Sequence, residues 1–146
     1  MGYSGVVHPR ILALDLGKRR IGLAVSDELG ITAQGLPTLE RTRIRDDLDT
    51  LAKLIGENHV QLIVMGNPLH MSGREGRQVE YAHEFADRLQ RLTGIPVEFW
   101  DERLTTVEAG RVLRESGIGI EKRAGAIDRL SAVILLESFL DARNSK

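Results

Sequence analysis

The stretch ILALDLGKRRIGLAVSD, residues 11–27, predicts the first two strands of this 146-residue chain. Its two apolar runs, Ile11–Leu16 and Ile21–Ser26, are separated by the short polar segment GKRR, a pattern that is typical of a β-hairpin. Asp15 lies near the end of the first run, where a buried strand would otherwise carry an apolar residue. This carboxylate is therefore either a turn residue before Gly17 or a functional group at the end of a strand.

The rest of the chain predicts a third strand followed by alternating helices and strands. The third strand is expected over Ile31–Leu39, where Pro37 favours either a position at the edge of the sheet or the end of the strand. Two further strands are expected over Gln61–Gly66 and Ile95–Trp100. Apolar residues at helical spacing and a capping box predict four helices, over residues 44–58, 79–92, 105–117 and 126–142. This order favours an α/β fold with a mixed five-stranded sheet, an antiparallel meander plus parallel strands, flanked by helices.

The composition narrows the class of protein. The chain has no cysteine, which excludes a disulfide framework and thiolate metal sites and fits a reducing cytoplasm. We expect neither a signal peptide nor a transmembrane helix, because no apolar run reaches about 18 residues. No linker divides the chain, so we expect one domain over residues 1–146 of a cytoplasmic protein. Because the net charge is −1, any contact with nucleic acid must come from local basic patches.

Four carboxylates are expected at the ends of strands or at the start of the last helix: Asp15, Asp101, Glu102 and Asp128. In α/β sheets ligands bind, and catalytic residues lie, where strands end. A group of carboxylates at such a place repels itself unless cations neutralise it. Magnesium, which prefers oxygen ligands, is the natural cation. Two such ions about 3.5–4 Å apart can stabilise the attacking and leaving oxygens of a phosphodiester. Zinc is a poor fit, because the four histidines show no metal-ligand spacing.

Each of these acids also has a purely structural interpretation. Asp15 could be a turn residue, and Asp128, near a helix start, could complement the helix macrodipole. The pair Asp101–Glu102 could form surface ion pairs with Arg103 or Lys122. The acids are therefore informative only as a set whose members could converge on one point.

Several groups of basic residues could bind phosphates around this acidic centre, although each could also be a solvated surface. They are Lys18-Arg19-Arg20, Arg41-Thr42-Arg43, Arg74 with Arg77, and Lys122-Arg123. Neither a Gly-x-Gly-x-x-Gly turn after the first strand nor a Walker-type lysine loop is present in the sequence. Their absence argues against dinucleotide-binding and P-loop proteins.

Four motifs, in this order along the chain, resemble the YqgF (RuvX) family of Holliday-junction resolvases. They are ALDLGKRRIGLAVSD, VMGNPLHMSGREG, DERLTT and IDRLSAVILLESFL, and the resemblance covers about residues 10–142. It implies an RNase H-like fold and an endonuclease that processes the 5′ end of pre-16S ribosomal RNA in the bacterial cytoplasm during ribosome biogenesis. A Holliday junction resolvase in DNA recombination and repair is the alternative activity, and the protein would act as a monomer or homodimer.

The resemblance also implies which residues form the site. The family's acidic positions fall on Asp15, on the Asp101–Glu102 pair and on Asp128, which would hold two Mg²⁺ or Mn²⁺ ions, with Asp15 bridging them. Glu102 is favoured over Asp101 as the metal ligand, because its longer side chain can reach back from the strand end. Backbone amides near Gly17 would help to position the phosphate. The expected nucleic-acid contacts are Lys18, Arg19, Arg74, Arg77 and Arg103.

The loop NPLHMSGREG departs from the family pattern. His70 and Ser72 stand where the family usually has Asn and Asp, although Gly73 and Gly76 are retained. The resolvases of the same fold carry an acid at the end of the fourth strand, and this chain has none between Gln61 and Gly73. Nuclease chemistry is therefore better supported than action on four-way junctions.

Two other classes of function remain open from the sequence. A hairpin that follows a strand-end aspartate also resembles the phosphate loop of actin-like and sugar-kinase ATPases, which would make the chain a nucleotide-binding module. Those proteins bind the nucleotide between two domains, and 146 residues leave room for one. A non-catalytic RNA-binding factor is the third class, although clustered carboxylates would weaken the binding of a polyanion.

Overall fold

A computed structural model describes residues 9–66, 77–100 and 120–144 of the chain. These ranges contain five strands and three helices. In chain order they are β1 (Arg10–Leu16), β2 (Arg20–Ser26), β3 (Ala33–Glu40), α1 (Ile44–Glu57), β4 (Val60–Gly66), α2 (Arg77–Thr93), β5 (Val97–Trp100) and α3 (Ile120–Asn144). The helix predicted over residues 105–117 lies outside the described residues.

The strands form one sheet in the order β3-β2-β1-β4-β5. The pairs β1–β2 and β2–β3 are antiparallel, whereas β1–β4 and β4–β5 are parallel. This arrangement confirms the predicted mixed sheet, in which an antiparallel meander is extended by parallel strands. Of the two positions favoured by Pro37, the structure shows the first, because its strand lies at an edge of the sheet.

The sheet buries both faces, and alternation along β1 assigns its residues to them. Leu12 and Leu14 belong to the core between the sheet and the helices α1 and α2. Ile11 and Ala13 belong to the second core, where the buried face of α3 packs across β1, β2 and β3. A nearly continuous apolar run in β1 is therefore the consequence of a strand that is covered on both sides.

The helices α1 and α2 each bury one apolar stripe on the sheet. Leu48, Leu51 and Ile55 of α1 and Phe85 and Leu89 of α2 are all buried in the same core. The helix α2 ends at Thr93 and is followed by Gly94, whose backbone has φ 72° and whose N–H donates to the Gln90 carbonyl oxygen at 2.8 Å. Glycine adopts this left-handed conformation without steric cost, which confirms the predicted end of the helix.

The bounds of several elements differ from the prediction, and for β3 and α3 the cause is visible. The strand β3 begins at Ala33 rather than Ile31, because the N–H groups of Ile31 and Thr32 donate to Asp27 Oδ1 instead, at 2.8 and 3.2 Å. The helix α3 begins at Ile120, six residues before the predicted start. Gly125 suggested a loop there, but a helix-interior glycine costs only about 1 kcal/mol, and the residues Glu-Lys-Arg-Ala before it favour helix.

The turn between β2 and β3 is expected to lose stability in acid. Hydrogen bonds from the backbone, above all from the Ile31 N–H, hold the pKa of Asp27 below its ordinary value of 3.8. A group with a depressed pKa stabilises the folded state above its unfolded pKa, and that contribution is lost as the pH falls through the folded pKa. The protection of the Ile31 and Thr32 amides against hydrogen exchange should therefore fall in acid. The protection of amides in the core of β1 should not.

Asp27→Asn serves as the control for this expectation. An Asn side chain can still accept a hydrogen bond from the backbone but carries no charge, so the acid-dependent step should disappear in the variant. If wild-type protection at Ile31 and Thr32 were as insensitive to acid as in the variant, the turn would not depend on the Asp27 carboxylate.

Within the described ranges, none of the helices is both long and apolar enough to cross a membrane.

Candidate active site

The carboxyl-terminal ends of three parallel strands meet at one edge of the sheet, here called the carboxyl edge. In the register of the sheet Leu14 of β1 lies beside Met65 of β4, and Met65 lies beside Phe99 of β5. One step further along the strands, Asp15 is level with the last residues of β4 and β5. Two strand spacings of about 4.8 Å separate β1 from β5, so the two chain segments that leave β1 and β5 start about 10 Å apart.

Asp15 lies inside β1 and not in the turn that follows it. It pairs with Gly22 of β2 in the antiparallel ladder, and its side chain is only 6% exposed. By alternation it shares the face of Ile11 and Ala13, beneath α3. The interpretation of Asp15 as a turn residue is therefore wrong. A carboxylate this deeply buried requires compensation by hydrogen bonds or positive charge, whereas a solvated turn aspartate does not.

Both lateral neighbours of Asp15 in the sheet are glycines. Gly22 is its direct partner on β2. On β4, Gly66 follows Met65 and shares the α3 face with Val64. Neither of these two positions carries a side chain. Glycines within strands often mark a place where a ligand or another backbone approaches closely.

The β1–β2 turn, residues 17–19, is closed by a hydrogen bond from the Gly17 N–H to the Arg20 carbonyl oxygen at 3.0 Å. A Cβ atom at position 17 would lie 2.6 Å from that same oxygen, so only glycine fits there. Backbone amides near Gly17 were expected to position a phosphate, and this hydrogen bond makes the Gly17 amide itself unavailable for that role. Lys18 and Arg19, in contrast, are exposed at the tip of the turn, as a contact to nucleic acid requires.

The helix α3 packs across β1, β2 and β3, and its carboxyl-terminal end lies near the start of β1. Leu140 and Asn144, near the end of α3, border the same small cavity as Ile11, near the start of β1. Trp100, the last residue of β5, donates from Nε1 to Ser138 Oγ at 3.0 Å. Asp128 therefore lies ten residues, about 15 Å along the helix axis, before the part of α3 that contacts β5.

Asp128 is the ninth residue of α3, not a residue of its first turn. The expectation that it opens the last helix is wrong, because the helix begins at Ile120. Interaction with the helix macrodipole falls off within the first turn, so the macrodipole no longer explains an acid at this position. Its place two turns inside a long helix therefore argues against the macrodipole interpretation.

Ser131 is a buried polar residue that the sequence analysis did not single out. It lies one turn after Asp128, it is fully buried, and its Oγ has no hydrogen-bond partner within the described part of the chain. Buried hydroxyls are nearly always hydrogen-bonded, so one without a partner calls for an explanation, and a water molecule or an ion is one of them. In the sequence, only its position one turn from an acid inside an apolar run could have indicated it.

The other predicted site residues belong mostly to parts of the chain outside the described ranges. Asp101, Glu102, Arg74 and Arg103 lie outside the described residues. Arg77 is the first residue of α2, and only its place in the helix is described. Among the described residues no group of three histidines, aspartates or glutamates is close enough together to hold a metal ion.

Arg41 was grouped with Arg43 as a possible phosphate contact, and this prediction is wrong for Arg41. Its side chain is 10% exposed, and its Nε lies 3.3 Å from Oδ2 of the buried Asp47. Its Nη1 donates to the Gly17 carbonyl oxygen at 3.0 Å, and its Nη2 donates to the Tyr81 hydroxyl. Arg41 therefore connects the β1–β2 turn to α1 and α2, contacts that no local sequence pattern reveals.

Comparison with known proteins identifies a family whose members resemble this chain. The model of the RuvX family, described as Holliday junction resolvase, matches residues 9–142. A relative from Koribacter versatilis, named "Putative pre-16S rRNA nuclease", is 57% identical over 98% of this chain and 94% of its own length. A relative of the same name from Syntrophus aciditrophicus is 50% identical over 91% of this chain and 89% of its own length.

Solved structures share the fold at low sequence identity. Thermus thermophilus RuvC in complex with a Holliday junction substrate superposes with a TM-score of 0.59 at 15% identity, covering 94% of this chain and 96% of RuvC. The fowlpox virus resolvase in complex with Holliday junction DNA gives a TM-score of 0.56 at 10% identity, covering 92% of this chain and 98% of the resolvase. These similarities confirm the RNase H-like fold.

Proposed function

Because this chain belongs to the RuvX family, we propose that it is a divalent-metal-dependent endonuclease that processes the 5′ end of pre-16S ribosomal RNA in the bacterial cytoplasm. Membership of the family confirms the resemblance carried by the four motifs, and with it the expectation of a nuclease that hydrolyses phosphodiester bonds. The observation that supports the proposed chemistry best is the burial of Asp15 at the carboxyl edge, between two glycines.

The donor set around Asp15 suits a hard divalent cation. We propose that Asp15, Glu102 and Asp128 together hold two Mg²⁺ or Mn²⁺ ions, for which oxygen ligands are the preferred donors. The orphaned Oγ of Ser131, one turn from Asp128, supports a polar occupant on this side of α3. A cation would also supply positive charge to the proposed cluster of carboxylates, whose members otherwise repel one another.

The alternation of β5 supports Glu102 rather than Asp101 as the third ligand. Trp100 packs against the α3-side core and donates from Nε1 to Ser138 Oγ of α3 at 3.0 Å. Phe99 packs against the opposite core. Even-numbered positions of this strand therefore share the face of Asp15, and an even-numbered acid that follows it is the better candidate.

The residues of this site would have different roles in cleavage. A divalent cation, when bound, supplies Lewis-acid stabilisation of the charge that develops on the phosphate oxygens. The rigid strand β1 would hold Asp15 in a fixed position, and α3, packed on the sheet, would do the same for Asp128. Lys18 and Arg19 would bind phosphates beside the cleaved bond, and so would Arg74, Arg77 and Arg103.

The proposal is tested by cleavage of an end-labelled precursor RNA and of a labelled four-way DNA junction, each with Mg²⁺ and with a chelator. We expect metal-dependent cleavage of the RNA at the precursor 5′ end. Cleavage of the junction alone would identify a DNA resolvase instead. If neither were cut and adenosine triphosphate bound at micromolar concentration, the chain would be a nucleotide-binding module.

Asp128→Asn is expected to reduce cleavage by orders of magnitude and to leave the free energy of unfolding level or raised. Asn retains the size of the side chain but not the charge that attracts a cation, and partial recovery in Mn²⁺ is expected. Because Asp128 lies beyond the first turn of α3, loss of its charge should not weaken the macrodipole interaction.

Glu137→Gln, at an exposed position of the same helix, is the matched control for Asp128→Asn and should cleave like the wild type. Wild-type cleavage by Asp128→Asn, measured in parallel with urea unfolding of both variants, would remove Asp128 from the site.

A further inference from the structure

Two chain segments meet at the carboxyl edge beside Asp15. The Arg41 N–H donates to the Arg19 carbonyl oxygen at 2.8 Å, which joins the connection between β3 and α1 to the β1–β2 turn. The Arg41 side chain adds a second link, from Nη1 to the Gly17 carbonyl oxygen at 3.0 Å. The turn that follows Asp15 and the residues that precede α1 therefore form one continuous surface.

The two segments are strongly basic in a chain that is slightly acidic. Residues 17–20 and 40–47 contain six basic and three acidic side chains, a net charge of +3, whereas the whole chain carries −1. The rest of the chain therefore carries −4, the difference between −1 and +3. A local excess of this size at one edge raises the concentration of a polyanion there.

The basic side chains fall into two groups according to their partners. Arg20 pairs with Glu40 at 3.3 Å, and Arg41 pairs with the buried Asp47 at the same distance. Arg41 also lies over the rings of Tyr81 and Phe85, so its charge is held inside the protein. The remaining cations are exposed and have no side-chain hydrogen bond or ion pair with the described part of the chain: Lys18, Arg19, Arg43 and Arg45.

Arg45 differs from the other three in its surroundings. It lines an open groove of about 530 Å³ between α1 and α2, together with Leu48, Arg88 and Arg91. Those helices cover the face of the sheet opposite to Asp15. Arg45 therefore carries the same charge as Arg43, two residues before it in the sequence, but borders a different surface.

We propose that Lys18, Arg19 and Arg43 form one phosphate-binding surface, here called the edge surface, which holds the nucleic-acid backbone next to Asp15. This inference rests on the proposed nuclease function and extends it to the connection between β3 and α1. Arg41 is its positioning residue: it binds no phosphate, but it fixes the β1–β2 turn against α1 and α2. Unpaired, exposed cations on a rigid support are what phosphate contacts require.

The edge surface is tested by binding in a chelator, where no cleavage occurs, with a labelled RNA stem–loop and a labelled four-way DNA junction. Each phosphate contact contributes about 0.7 to 0.9 to the slope of log K against log salt concentration. We expect Arg43→Gln to weaken binding and to lower the slope by about that amount. Arg45→Gln, the matched control with the same loss of charge, should leave the slope unchanged. Equal slopes for the two variants would overturn the edge surface.

The positioning role of Arg41 has a separate readout. Arg41→Lys keeps the positive charge but cannot bind Gly17, Asp47 and Tyr81 together, because an ammonium group lacks the planar fork of a guanidinium. We expect KM for the RNA to rise several-fold while kcat changes little and the salt slope is retained. An unchanged KM in a folded variant would overturn this role.

These measurements separate the edge surface from the proposed function. Binding in a chelator requires no catalysis, so a lowered slope in Arg43→Gln together with inactive wild-type protein would reject the nuclease and keep the surface. Metal-dependent cleavage by the wild type together with equal slopes for Arg43→Gln and Arg45→Gln would keep the nuclease and reject the surface.

Discussion

Asp15→Asn is expected to abolish cleavage while the protein remains folded and still binds RNA. Asp15 is the buried carboxylate at the end of β1, and an amide of the same size cannot supply the charge that holds a divalent cation. Removing one charge from the proposed cluster of carboxylates should also relieve repulsion, so we expect the midpoint of thermal unfolding in metal-free buffer to stay level or rise. Cleavage assays, RNA binding in a chelator and thermal unfolding of the same preparation measure the three effects.

Asp46→Asn is the matched control for Asp15→Asn. Asp46 is an exposed acid in the first turn of α1, near the carboxyl edge, so its variant loses the same charge without touching the buried site. The control should cleave at the wild-type rate. Wild-type cleavage by Asp15→Asn would contradict the assignment of Asp15, whereas equal losses in both variants would show only a general effect of charge.

The largest effect on stability is expected at the ion pair between Arg41 and Asp47. Both side chains are almost completely buried, and Asp47 Oδ1 also accepts hydrogen bonds from the Thr42 N–H and Oγ1 at 3.0 and 3.2 Å. Arg41→Met would leave the Asp47 carboxylate buried without its cation. Breaking a buried pair in this way costs about 3–5 kcal/mol, which urea unfolding should detect as a lower midpoint.

Arg20→Gln provides the comparison for Arg41→Met. Arg20 and Glu40 form an ion pair of the same length, 3.3 Å, but their side chains are 28% and 75% exposed. Exposed pairs contribute about 0–1 kcal/mol, so this variant should unfold close to the wild type. Equal destabilisation of the two variants would contradict the argument that burial, and not the ion pair itself, determines the cost.

The local pattern of the sequence was sufficient for most of the fold. Alternation and turn residues located β1 and β2 to within one residue, and the order of elements predicted the mixed sheet. The start of α3 was misplaced, because Gly125 is a weak signal that a long helix tolerates. The start of β3 depended on a side chain, Asp27, that competes with the strand for backbone N–H groups.

The candidate site was predictable only where a residue contradicts its local pattern. Asp15 stands out as a carboxylate in a buried strand, and the structure confirms its burial. The internal role of Arg41 depends on Tyr81, 40 residues away along the chain, so its sequence context suggested a surface cation instead. The orphaned hydroxyl of Ser131 likewise results from the packing of α3 on the sheet, which no spacing in the sequence specifies.

The most direct test of the two-metal site is a crystal structure of the protein with Mn²⁺, located by its anomalous scattering. We predict Mn²⁺ at Asp15, with the carboxylates of Asp15 and Asp128 within about 8 Å of each other, the span of two ions about 4 Å apart and two ligand bonds of about 2 Å. Carboxylates farther apart than this span, or manganese bound away from Asp15, would contradict the account.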